Sequence, residues 1–98
     1  MANSEDLRAE FEPRGQVRGR ILVLDPATAI ELVAAAQAGG VRVLGVDGFR
    51  VSAEGIQPLQ ECDLNVEDAA EPYETTRTFL ERFVGGDVMF EVALGGGE

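Results

Sequence analysis

Apolar residues along the chain fall into dense runs separated by glycine, proline and acidic stretches. Ile21-Leu22-Val23-Leu24 is continuous, too short for a helix and rich in branched side chains, which suits a strand buried on both faces. Asp25-Pro26 follows at once. Aspartate caps a helix N-terminus and proline favours the first helical position, so a helix is predicted over 26–38. Ile30, Val33, Ala34 and Gln37 form its stripe, with Ala27 and Ala38 adjoining. Gly39-Gly40 supplies a left-handed stop. Residues 41–46 predict another strand. Asp47-Gly48, set between apolar alternations, predicts a hairpin turn with Phe49-Arg50-Val51 beginning the return. The competing reading is a bend that leads out to a loop.

Residues 52–70 carry little regular signal beyond a short strand over 59–64 and the start of an acidic loop over 65–71. Pro72 opens a second helix. Tyr73, Thr76, Leu80, Phe83 and Val84 recur at helical spacing, Phe79 lies beside them, and Gly85-Gly86 ends the run. Val88, Phe90, Val92 and Leu94 then alternate with Met89, Glu91 and Ala93, as in a strand with one apolar face. The order β-α-β-β-α-β predicts an α+β fold: a ferredoxin-like sandwich of a four-stranded sheet and two helices. A chain of 98 residues holds one such domain, placed at 19–94. Residues 1–18 are polar and charge-mixed, with Pro13 and Gly15 as breakers. They predict a flexible N-terminal tail with a helical turn over 5–11, and 95–98 predict a flexible end.

Charge sharpens the picture. The net charge is −10, and it is uneven. In residues 1–20 four acids balance four arginines, so the whole excess lies in 21–98. Between Ser52 and Thr76 stand seven acids and no base: Glu54, Glu61, Asp63, Glu67, Asp68, Glu71 and Glu74. Such a field repels a phosphate backbone or an anionic membrane surface and attracts a basic protein. No apolar run reaches the roughly 20 residues that span a bilayer, and the N-terminus lacks a secretory signal, so a cytoplasmic protein is expected.

The chain contains neither lysine nor histidine. Without histidine, the commonest general base, metal ligand and activator of serine or cysteine is missing, so a non-enzymatic role is expected. The lone cysteine, Cys62, sits between Glu61 and Asp63, which disfavour its thiolate. No glycine spacing matches a phosphate loop or dinucleotide fingerprint, and no cofactor is expected. Asp63, Asn65, Glu67, Glu71 and Glu74 fall at the side-chain ligand positions of a calcium-binding loop. Asp68 takes the place of the turn glycine, Pro72 falls inside the loop, and the segment before Asp63 looks extended rather than helical, so no metal site is assigned.

The stretch ILVLDPATAIELVAAAQAGGVRVLGVDGFRV at 21–51, with the closing strand DVMFEVAL, resembles small acidic bacterial immunity proteins of toxin systems. That resemblance implies an inhibitor that docks on a cognate toxin. The expected function is therefore an acidic protein-binding module for a basic partner. Its candidate contacts are Glu61, Asp63, Glu67, Asp68, Glu71 and Glu74, with Tyr73 as the aromatic anchor. The alternatives are a dimeric regulatory or small-ligand-binding domain and a calcium-binding acidic loop. The sequence leaves the oligomeric state open.

Overall fold

The structure is a computed structural model and describes residues 3–95. It contains α1 (Ser4–Phe11), a short 3-10 turn (Glu12–Arg14), β1 (Gln16–Arg18), β2 (Ile21–Val23), α2 (Pro26–Gly39), β3 (Val43–Ser52), β4 (Gly55–Asn65), α3 (Pro72–Glu81) and β5 (Val88–Leu94). The chain is a small α+β domain with two sheets. β1 pairs with β2, and β4-β3-β5 form a three-stranded sheet; every pairing is antiparallel.

The four-stranded ferredoxin-like sheet is therefore corrected. Two features account for the difference. The apolar run at 21–24 pairs with β1 instead of entering the middle of a sheet, and it meets β5 through one bridge, Leu24 to Phe90. Asp47-Gly48 is not a turn. β3 runs straight through it as a central strand, with Asp47 opposite Glu91 and Gly48 between Leu59 and Phe90. Gly48 is small because β4 passes close by: a Cβ there would lie 2.5 Å from the Cβ of Cys62. The chain reverses instead at Ala53-Glu54, where Ser52 pairs with Gly55 and the Ser52 Oγ accepts the Glu54 N–H at 3.3 Å. Residues 52–70, read as mostly irregular, thus contain the whole of an eleven-residue strand.

The N-terminal segment is also corrected. Asn3 caps α1, accepting the Asp6 N–H at 2.9 Å. Leu7 and Phe11 then bury against the core, which ties down residues expected as a free tail. Of 95–98, only Gly95 lies within the described residues, and its N–H donates to the Arg42 carbonyl at 2.8 Å.

α2 forms where the sequence places it. Asp25 accepts the Thr28 N–H at 2.7 Å, Pro26 opens the first turn, and Gly40 closes it with φ 73°. Its buried stripe is Ala29, Leu32, Val33 and Ala36, rotated from the predicted one, because an alanine-rich helix is nearly as apolar on one side as on the other. α3 buries Thr76 and Leu80, while Val84 lies beyond the helix and half in solvent. Phe79 and Phe83 pack edge-on against Phe90, with centroids 6.1 and 5.1 Å away, and fix α3 over β5. One apolar cluster joins all three helices to Leu22, Leu24, Val46, Leu59, Cys62, Phe90 and Val92. No helix among the described residues is long and apolar enough to cross a membrane.

Candidate functional site: an acidic row across three strands

The register of β3 with its neighbours decides where the charges fall. Phe90 meets the helices, so Gly48 opposite it, and the pair Val46 and Val92, face the same way. Asp47, Phe49, Met89 and Glu91 face away. On that side Asp47 stands directly opposite Glu91.

A bulge brings in the third carboxylate. Val46 pairs with Leu64 and Gly48 with Leu59, so residues 60–63 of β4 answer to Asp47 alone. The extra chain turns Asp63 toward β3, where its Oδ1 accepts the Gly48 N–H at 3.0 Å. Asp63, Asp47 and Glu91 thus form a row across β4, β3 and β5. Asn65 and Glu67 line the same hollow as Asp47 and Asp63. The Asn65 Oδ1 accepts the Glu67 N–H at 3.0 Å and holds that corner.

The electrostatics are those of crowded like charges. The Asp47 carboxyl is raised above its ordinary value, first by partial burial and then by Asp63. Burial also raises Glu91, and Asp47 adds to it; the Leu22 N–H, 3.3 Å from Glu91 Oε2, and the Arg8 charge work in the opposite direction. The ion pairs among the described residues are Arg8–Glu12, Arg14–Glu31 and Arg77–Glu74, and none includes a member of the row.

The expected contact residues divide. Glu61 and Asp63 project from β4, Glu67 and Asp68 from the turn after it, and Glu71 precedes α3; all are exposed. Asp63 and Glu67 come together with Asp47. Glu74 is exposed on α3 and paired with Arg77. Tyr73 is not a free anchor: its hydroxyl donates to the Val41 carbonyl at 2.7 Å and its ring packs on the core. The calcium-loop spacing does not make a loop, since Asp63 and Asn65 belong to a strand and Val66 between them and Glu67 is buried. Among the described residues no group of His, Cys, Asp or Glu is placed to hold a metal ion.

Asp47 and Glu91 were missed in the sequence. Glu91 was visible as a polar break in an alternating strand, but its partner depended on register. Asp47 was hidden by the turn reading. Cys62 is buried, and burial, Glu61 and Asp63 all raise its thiol. Ser52 Oγ is committed to the turn. The arrangement therefore offers carboxylate acceptors to a cation. No protein-family model matches the chain, and no curated protein matches it.

Proposed function

We propose that the chain is a non-enzymatic binding module whose acidic face docks on a basic surface of a partner protein, as an immunity or inhibitor protein does. The row of Asp63, Asp47 and Glu91 is the observation that carries this reading. Like charges on facing strands cost stability, and a guanidinium or ammonium placed among them turns that cost into binding free energy. The remaining excess charge, including the exposed Glu61, Asp68 and Glu71, steers a basic partner toward the face. Their contribution falls with salt, because exposed charges are screened.

The test is a paired capture from the native cell lysate with the tagged wild type and the variant D47N/D63N/E91Q, each eluted by a salt gradient. A basic protein held by the wild type and released early from the variant supports the reading. Equal retention by both, or none by either, contradicts it.

A further inference from the structure

Leu24 and Phe90 exchange both backbone hydrogen bonds, each 2.8 Å long. Continuing that ladder would set Leu22 against Val92 in the next bonded pair. The strands part instead. The Leu22 N–H turns to Glu91 Oε2, and a cavity of about 270 Å³ opens between β2, β5 and α1. Leu22, Leu24, Leu32, Val92 and Leu94 supply its apolar lining, and Ser4, Glu5, Arg8 and Glu91 its polar lining.

Backbone groups alternate sides along an antiparallel strand, so Val92 and Leu94, like Phe90, aim their N–H and C=O away from β3. Among the described residues neither has a backbone partner on that side. The outer edge of β4 is guarded by Pro58, a bulge and carboxylates, the usual devices against added strands. Val92-Ala93-Leu94 carries none of these. Along the strand the chemistry alternates too: Val92 and Leu94 bring apolar side chains to the cavity, and Glu91, opposite Asp47, stands between the cavity it helps to line and the acidic row. Arg8 is already held by Glu12 Oε2 at 3.2 Å and the Arg20 carbonyl at 2.8 Å.

We propose that this cleft receives an extended segment of the partner protein, which adds as a strand to the outer edge of β5 at Val92 and Leu94. Alternate side chains of the segment are apolar, entering the cavity, and cationic, reaching Glu91. The inference rests on the acidic-face reading and specifies its binding mode.

The test titrates the isotopically labelled protein with an acetylated, amidated heptapeptide of alternating valine and lysine, followed by amide NMR and hydrogen exchange. A control peptide keeps the side chains but carries N-methyl groups on alternate backbone nitrogens. Binding should slow exchange at the Val92 and Leu94 amides, and N-methylation should weaken it by about tenfold or more through lost strand hydrogen bonds. E91Q should weaken the parent peptide severalfold. Shifts at Asp47 and Asp63 with unchanged exchange at Val92 and Leu94 would overturn the cleft and leave the acidic-face reading standing. Equal binding of the N-methylated peptide would overturn strand addition. No shifts with either peptide at low salt would count against both.

Discussion

Asp47 of β3 stands directly opposite Glu91 of β5, and both carboxyls titrate above their ordinary values. Facing like charges destabilise a strand pair, so this contact opposes folding at neutral pH. Asp47→Asn should therefore stabilise the protein at pH 7 by about 0.5 kcal/mol in urea denaturation. The gain should vanish in acid, where both groups carry protons. A loss of stability at pH 7 would show that the charge is needed within the fold itself.

The same two groups set a pH dependence. A carboxyl whose value is raised on folding favours the folded state below its unfolded value, and that contribution is lost as pH rises through the folded value. Both cited shifts are upward, so the urea midpoint should fall as pH rises above the ordinary carboxylate range, about pH 4. D47N/E91Q should flatten that decline. A midpoint that rises there would contradict the assigned directions.

α1 belongs to the core through Leu7 and Phe11, each 4% exposed. Phe11→Ala should cost about 3 kcal/mol or more, the ordinary loss for an emptied aromatic site. A detached tail would show no change. Equilibrium denaturation of the full chain separates the two.

The Thr76 hydroxyl is fully buried in α3 and has no hydrogen-bond partner among the described residues. Thr76→Val replaces it with a methyl of similar shape and removes the desolvation penalty. The variant should be more stable by about 1 kcal/mol, seen as a higher melting temperature. A lower melting temperature would mean that the hydroxyl has a role in the packed state.

Local signals read well where the determinant is local. Asp25, Pro26 and Gly40 act within a few residues of the helix they delimit, and α2 lies between them. Period-two alternation likewise marked β5. The failures share a different cause. Asp47-Gly48 has turn chemistry, but pairing on both sides keeps it in a strand, and Gly48 answers to Cys62 fourteen positions later in the chain. α1 looked polar because two buried residues, Leu7 and Phe11, suffice to hold it. The acidic row needed the register of three strands and a bulge at 60–63, none of which composition encodes. Acid-rich segments pointed to Asp63 and Glu67 but equally to Glu71 and Glu74, which lie elsewhere.

The most direct test of the acidic face is an NMR titration with a short oligo-arginine peptide at low salt, following the side-chain carboxyl carbons. The account predicts that Asp47, Asp63 and Glu91 move together with one affinity, and that D47N/D63N/E91Q removes the saturable response. Shifts centred on Glu71 and Glu74, or spread evenly over every carboxylate and unchanged in the variant, would contradict it.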